Sequence, residues 1–183
     1  YLRVFPQWRV DLIAPVPKGI ELNATGIRKR LFEEENPTWP EVPAETSDFL
    51  NGFAISDTYT VLKAEYDFMK KYKQAWEAAP YAPTFHTVDA VVIQSGHVLV
   101  VERGALPGKG LWALPGGFLN QNERMNVAVT RELREETGLK VPEKILQASI
   151  KDKEIFDHPD RSLRGRTITT AFLIRLDDTM PLP

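Results

Sequence analysis

The chain contains no cysteine among its 183 residues. A disulfide framework, a thiolate metal site and a thiol nucleophile are therefore excluded. Long hydrophobic runs are also missing, so the sequence indicates neither a transmembrane span nor a signal peptide. A surplus of one charge is absent too: 23 basic and 25 acidic side chains give a net charge of −2. This balance predicts no general attraction to nucleic acid or to an anionic membrane, and favours a soluble, cytoplasmic protein. The oligomeric state, including a homo-oligomer, is left open.

Proline-rich segments divide the chain. Three prolines between Pro37 and Pro43 exclude a helix or a central strand, and Ala79–Pro83 is expected to end the helix before it. Asp57 is predicted to cap that helix, which runs to about Ala79. Its apolar positions recur at helical spacing and predict a packing stripe: Tyr59, Leu62, Tyr66, Met69 and Trp76. We place the domain boundary near Pro83, between residues 1–83 and residues 84–183.

The second half of the chain has an α/β pattern. Alternation over Val88–Ile93, a turn at residues 94–97 and an apolar segment to Val101 predict a hairpin. A glycine-rich loop from Gly104 to Gly117 precedes a helix predicted from about Glu123 to Thr137, which Gly138 ends. A last strand is predicted over Thr167–Ile174.

Three glutamates have an unusual position on this helix. At about 100° per residue, Glu132, Glu135 and Glu136 share a sector with the expected buried stripe of Met125, Ala128, Val129 and Leu133. The opposite side carries Asn126, Thr130 and Arg134. Crowded carboxylates repel one another, and a hard divalent cation such as Mg²⁺ would compensate them. The alternative is an internal salt-bridge network without metal.

Neighbouring residues support a site here. Arg131 is placed to pair with Glu135 one turn on. The Gly116–Gly117 pair permits a close backbone approach, so a carbonyl oxygen is a candidate metal ligand; the alternative is an ordinary turn. For Glu123 we favour stabilisation of the helix N-terminus over metal binding.

The residues from Gly117 through Glu123 to Arg131–Leu139 match Gly-x5-Glu-x7-Arg-Glu-U-x-Glu-Glu-x-Gly-U, where U is a bulky apolar residue, and this segment resembles the Nudix box. The resemblance implies a Nudix α/β/α sandwich with a mixed sheet and a Mg²⁺- or Mn²⁺-dependent hydrolase of a nucleoside diphosphate derivative. By the same resemblance, Glu132, Glu136 and the Gly116 carbonyl are the principal metal ligands. Glu135 is a further ligand or the base, and Arg131 belongs to the catalytic set.

The flanking segments Gly110–Phe118 and Ile155–Thr169 resemble Nudix enzymes that cleave ADP-ribose to AMP and ribose 5-phosphate. Arg103, Arg164 and Arg166 are candidate substrate-binding residues, because arginine suits phosphate oxygens. Gly117 is a further candidate for substrate binding. Solvated loop arginines are the alternative. For Trp112 we expect a core anchor rather than a base-stacking platform. The competing functions are a non-catalytic ADP-ribose sensor and a Nudix hydrolase of other nucleoside diphosphate derivatives or of triphosphates.

A weaker resemblance lies upstream. Phe5–Trp8 and Leu22–Arg30 look like the late part of a nicotinamide mononucleotide (NMN) adenylyltransferase, a Rossmann-like nucleotidyltransferase domain. The implied nucleotide-binding residues are Asn23, Thr25 and Arg28, although Asn23 replaces the family's serine; the alternative is a helix cap. Together the two halves resemble bifunctional NMN adenylyltransferase/Nudix hydrolases. The adenylyltransferase His-x-Gly-His signature is absent and the first residue is Tyr1, so we expect an excerpt, with a Nudix domain that continues past Pro183.

Overall fold

The computed structural model describes residues 23–177. The Phe5–Trp8 part of the upstream resemblance lies outside the described residues. The chain divides into two compact units, Tyr1–Tyr66 and Asp67–Pro183. The boundary near Pro83 stays a prediction. No helix within the described range is both long enough and apolar enough to cross a membrane.

The described part of the first unit is mainly helical and ends within the third helix. Helix α1 spans Ala24–Glu33, α2 spans Ala44–Ala54, and α3 spans Asp57–Gln74. The ring of Phe32 stacks on Tyr59 and Tyr66, with centroids 5.6 and 5.0 Å away. Tyr59 and Tyr66 of the predicted stripe therefore pack as expected, and Met69, which lies in the second unit, is buried. Leu62 is 43% exposed, and Trp76 is 42% exposed but still packs its ring against Phe85 with centroids 5.4 Å apart.

Both predicted ends of α3 need correction. The cap is Ser56 and not Asp57, because the Ser56 hydroxyl accepts a hydrogen bond from the Tyr59 backbone N–H at 3.1 Å. The helix ends at Gln74 rather than near Ala79. From Trp76 to Ala79 the backbone makes bonds to the carbonyl three residues back, so the helix has already given way to successive turns.

A mixed sheet forms the centre of the second unit, as expected. Strand β1 (Phe85–Gln94) lies parallel to β7 (Thr167–Arg175), and β6 (Ile150–Phe156) pairs with β7 in the antiparallel direction. On its other side β1 pairs antiparallel with two short strands, β2 (His97–Val98) and β5 (Gly116–Phe118). Strands β3 (Val101–Glu102) and β4 (Trp112–Ala113) form a separate two-stranded sheet.

The core lies between β1, β7 and helix α4 (Met125–Thr137). Its fully or nearly fully buried side chains alternate along the strands and follow one face of the helix: Val88, Ala90, Val92, Ala128, Val129, Leu133, Phe172 and Ile174. Helix α4 ends at Gly138 in the left-handed conformation, as predicted. A short helix, α5 (Glu143–Ala148), packs against α4. The mixed sheet with a helix packed on it agrees with the α/β fold expected from the sequence.

Two positions on α4 differ from the predicted face. Met125 is 37% exposed, and Thr130, expected on the outer side, is completely buried. The Thr130 hydroxyl donates to the backbone carbonyl of Val127 at 2.9 Å, which satisfies it inside the core. The buried face of α4 is therefore wider than the apolar residues alone indicate.

Candidate active site

Two consecutive glycines let β5 approach both β1 and α4. A Cβ on Gly116 would lie 2.3 Å from the carbonyl oxygen of Val88, and a Cβ on Gly117 would lie 2.5 Å from Glu132 Oε1. Both distances are below any ordinary contact. Glycine is therefore required twice: once for the pairing of β5 with β1, and once for the space that the Glu132 carboxylate occupies.

Arg131 is surrounded by glutamates. Its guanidinium donates to Glu123 Oε1 at 2.6 Å, to Glu132 Oε1 at 2.8 Å and to Glu135 Oε2 at 3.0 Å. The predicted pairing with Glu135 is present, but it is one of three. Hydrogen bonds from Arg131 to the glutamates, above all to Glu123, hold the pKa of its guanidinium above the ordinary value.

Glu123 joins this network from the segment before α4. It accepts the Asn120 backbone N–H at 2.8 Å as well as the bonds from Arg131. The bond from Arg131 is the main reason that the pKa of Glu123 is lowered. Glu123 therefore ties the start of the helix to Arg131 through direct bonds, in addition to the dipole effect expected from the sequence.

The carboxylates that face the cavity differ in burial. Glu132 is half-buried, and burial raises its pKa against the opposing effect of Arg131. Glu136 is more exposed and accepts the Gly116 backbone N–H at 2.9 Å. Glu135 is mostly exposed and does not line this cavity, so the three glutamates of the predicted cluster are not equivalent.

The cavity has a volume of about 600 Å³ and walls of opposite charge. Glu132, Glu136, Gly116 and Gly117 line it together with Arg131. Arg103 and Arg164 also line it. The pKa of Arg164 is lowered, first by burial and then by the nearby charge of Arg103. The structure thus brings most of the predicted site residues to one cavity.

Arg166 is the exception among the predicted substrate residues. Its guanidinium donates to the Asp157 carbonyl oxygen and lies 4.0 Å from the Asp157 carboxylate. It is not among the residues that line the cavity. Because the side chain is engaged elsewhere in its own loop, the described geometry does not bring Arg166 to the site.

Trp112 is not a core anchor, so that expectation was wrong. Its side chain is 71% exposed on β4, where its backbone is paired with Glu102 of β3. Among residues 23–177 no other element covers this position of the two-stranded sheet, which explains the exposure. Aromatic content alone does not distinguish a core residue from one on an uncovered sheet.

Asp89 is a site-adjacent residue that sequence reasoning did not select. It lies on β1 opposite Gly116, and a Cβ on Gly116 would come within 2.5 Å of its Oδ1. Burial raises its pKa; Arg161 and Arg103 act in the opposite direction, while Glu136 adds to the rise. An acidic residue between the buried apolar residues Val88 and Ala90 was the available signal.

The upstream residues form a helix start in the first unit. Asn23 precedes α1, and its side-chain Oδ1 accepts the Gly26 backbone N–H at 2.6 Å. Thr25 and Arg28 lie in the first two turns of the same helix. Asn23 thus occupies the position of an N-cap.

A metal would meet hard oxygen donors in the cavity. Within residues 23–177, no three acidic or histidine side chains converge as a preformed metal centre. The carboxylates bond to Arg131 and to the Gly116 N–H instead. Mg²⁺ commonly binds through one or two carboxylates, with water and substrate phosphates completing its shell. Glu132, Glu136 and a Gly116 carbonyl fit that kind of site.

Comparison with known proteins shows the family to which this domain and its Nudix box belong. The NUDIX domain family matches residues 83–183, and the chain belongs to this family of hydrolases. Over 87 residues it is 37% identical to an ADP-ribose pyrophosphatase from Methanocaldococcus jannaschii. The match covers 48% of this chain and 48% of that protein. Nudix hydrolases use divalent metal ions.

A solved structure covers more of the chain. A bifunctional NMN adenylyltransferase/ADP ribose pyrophosphatase from Francisella tularensis, in complex with AMP and a manganese ion, is 38% identical. The match covers 100% of this chain and 54% of that one, with a TM-score of 0.81. An ADPR responsive transcriptional repressor from Acinetobacter baylyi is 27% identical over 61% of this chain and 44% of its own. The chain thus spans about half the length of these relatives.

Proposed function

We propose that this chain hydrolyses ADP-ribose to AMP and ribose 5-phosphate in a reaction that requires Mg²⁺ or Mn²⁺. The observation that carries the proposal is the cavity whose walls hold Glu132 and Glu136 on α4 together with Arg103 and Arg164. A diphosphate with a bound cation needs both signs of charge around it. The relatives named as ADP-ribose pyrophosphatases support this substrate.

In this proposal Glu132, Glu136 and the Gly116 carbonyl hold the cation. When bound, a divalent cation neutralises diphosphate oxygens and lowers the pKa of a bound water. Arg131 keeps Glu132 in place through its 2.8 Å bond and is itself held by Glu123. We assign Glu135 the support of Arg131 rather than the role of base, because it bonds to Arg131 and lies outside the cavity lining.

The substrate side of the cavity follows from its arginines. Arg103 is oriented by its Nε, which donates to the Pro107 carbonyl at 2.8 Å. Arg103 and Arg164 receive phosphate oxygens, and Gly117, which makes room for the Glu132 carboxylate, lines the cavity beside the diphosphate. The oxygen of a water molecule bonds to one phosphorus atom as the bond from that phosphorus to the bridging oxygen breaks. The departing phosphate keeps the bridging oxygen and the electron pair, the water releases its proton to solvent, and AMP and ribose 5-phosphate separate. Arg166 needs to leave Asp157 before it contributes.

Product analysis tests this proposal. The 183-residue chain is incubated with ADP-ribose and Mg²⁺, or with Mn²⁺, and the products are separated by chromatography. We expect AMP and ribose 5-phosphate in equal amounts, and none with excess EDTA. Binding of ADP-ribose without products would favour the sensor function, for which the transcriptional repressor is a precedent. Turnover of nucleoside triphosphates alone would favour a different hydrolase.

We further propose that the whole protein also transfers adenylyl groups to NMN, as the name of the Francisella tularensis protein states for that relative. The cap and first turns of α1, with Asn23, Thr25 and Arg28, are the assigned remnant of that site. The 183-residue sequence contains no His-x-Gly-His turn. We therefore expect no NAD from ATP and NMN with this chain alone, and NAD formation by a parent that carries such a turn.

A further inference from the structure

Aromatic rings form a continuous cluster within the second unit, in which Phe68 stacks on Tyr72 and Tyr72 contacts Phe85. Phe85 of β1 is at its centre, with ring centroids 5.8 Å from Tyr72, 5.4 Å from Trp76 and 5.8 Å from Phe118. Tyr72 is in the last turn of α3 and Trp76 is in the turns after it. Both precede residue 83, where the match to the NUDIX family begins.

The guanidinium of Arg164 lies against two of these rings. Its central carbon is 5.3 Å from the centroid of Phe118 and 6.0 Å from that of Tyr72. Both distances fall in the range of cation–π attraction. Within the described residues the Arg164 side chain makes no ion pair and no side-chain hydrogen bond, so the rings are its closest favourable partners.

The cluster also anchors the backbone beside Arg164. The Phe85 N–H donates to the Arg166 carbonyl at 2.8 Å. Gly165 has a φ of +136°, and a Cβ there would lie 3.5 Å from the Phe85 ring. The chain after Arg164 is therefore fixed on β1, while Arg164 lines the cavity and its guanidinium contacts the rings of Phe118 and Tyr72.

We propose that Tyr72 is a positioning residue of the active site, which together with Phe118 holds the Arg164 guanidinium towards the cavity for a phosphate oxygen of a nucleoside diphosphate. The identity of the ligand rests on the proposed function, but the contact between ring and guanidinium does not. Cation–π attraction orients a charge without neutralising it, because the ring supplies no counter-ion. Arg164 thus stays available to an anion although it is partly desolvated.

Steady-state kinetics with ADP-ribose test the role of Tyr72. We expect Tyr72→Leu to raise KM about 5–10-fold with kcat within about twofold, since an oriented binding contact is lost while the reacting groups stay in place. Tyr72→Phe should keep the wild-type KM, because it retains the aromatic ring. Tyr81→Leu is the matched control, because Tyr81 is 86% exposed and contacts none of these rings.

A double-mutant comparison separates this role from general damage to the fold. In an Arg164→Lys background, Tyr72→Leu should add little to KM, because the guanidinium that the ring orients is already gone. An unchanged KM in Tyr72→Leu overturns the proposal, and so does an equal loss in Tyr81→Leu or full additivity with Arg164→Lys.

A spectroscopic measurement on the unaltered chain does not depend on activity. In a ¹⁵N-labelled sample, the Nε–Hε resonance of Arg164, assigned by its loss in Arg164→Lys, should be shifted upfield by the two rings. An unshifted resonance overturns the proposal even if Tyr72→Leu fails to fold. If ADP-ribose is not hydrolysed but the ring shift is present, the proposed function fails and the placement of Arg164 by Tyr72 stands.

Discussion

The backbone N–H of Gly116 donates a 2.9 Å hydrogen bond to Glu136, so strand β5 and helix α4 meet at a side chain that lines the cavity. The next glycine, Gly117, lies against Glu132, one turn earlier on the same helix. Two consecutive strand residues therefore contact two glutamates at the i, i+4 spacing. This match fixes the register of the helix against the strand.

Glu136→Gln should abolish most hydrolysis while the fold survives. The substitution keeps the shape of an exposed side chain but removes its charge, so we expect kcat to fall on the order of 10³-fold with Mg²⁺ present. Glu154→Gln, on the exposed strand β6, is the matched control. Thermal unfolding of both variants should resemble that of the wild type. Full activity in Glu136→Gln would contradict the assignment of Glu136 as a metal ligand.

Replacing Gly116 by alanine should lower stability, whereas replacing Gly117 by alanine should lower activity. At Gly116 the new Cβ meets the backbone of Val88, so we expect Gly116→Ala to lower the free energy of unfolding by about 1–3 kcal/mol. At Gly117 it meets only the end of the Glu132 side chain, which can swing away. Gly117→Ala should therefore keep its stability but lose activity about 10–100-fold. Denaturant unfolding and kinetics of both variants, measured side by side, would show whether the two effects separate.

Stability should depend on Glu123 in a pH-dependent way. Since its pKa is lowered in the folded state, the carboxylate stabilises the protein above its unfolded-state value of 4.5, and this contribution is lost as the pH falls through the folded-state pKa. Glu123→Gln should cost about 1 kcal/mol at pH 7, as expected for a partly exposed charged bond. The difference from wild type, followed by denaturant unfolding, should shrink below pH 4.5. A difference that grows towards acid would contradict this assignment.

We expect ADP-ribose to be the preferred substrate of the cavity that Glu132, Glu136, Arg103 and Arg164 line. ADP-ribose should exceed NADH, diadenosine polyphosphates and nucleoside triphosphates in kcat/KM by about 10–100-fold, which requires only a few well-placed contacts. Initial rates with each compound at the same Mg²⁺ concentration provide the comparison. A higher kcat/KM for any triphosphate would overturn the preference.

Sequence reasoning was most reliable where local rules act alone. Gly138 ends α4 as predicted because a left-handed C-terminal residue favours glycine in any context. Strand β7 was predicted within one residue, because it is an unbroken run of β-branched and apolar residues from Thr167 to Ile174. The residues of the box were likewise found from spacing, and the geometry brings Glu132, Glu136, Arg103 and Arg164 to one cavity.

The elements that were missed lack those local signals. Helix α2 has no side-chain cap and no buried residue, and strand β6 is exposed at six of its seven positions. Such elements depend on neighbours distant in sequence. The burial of Thr130 and the exposure of Trp112 have the same origin, because each depends on whether another layer covers the position. Asp89 escaped notice since its charge lies within an otherwise ordinary strand pattern.

The aromatic cluster has a consequence for how such a domain is inherited. A chain that began at residue 83 would contain every residue of the family match and would still lack Tyr72 and Trp76. Exchange of Nudix domains between proteins at that boundary would leave Arg164 with one aromatic neighbour in place of two. A transferred unit that keeps the proposed role of Tyr72 therefore has to begin before residue 83, where the family match starts.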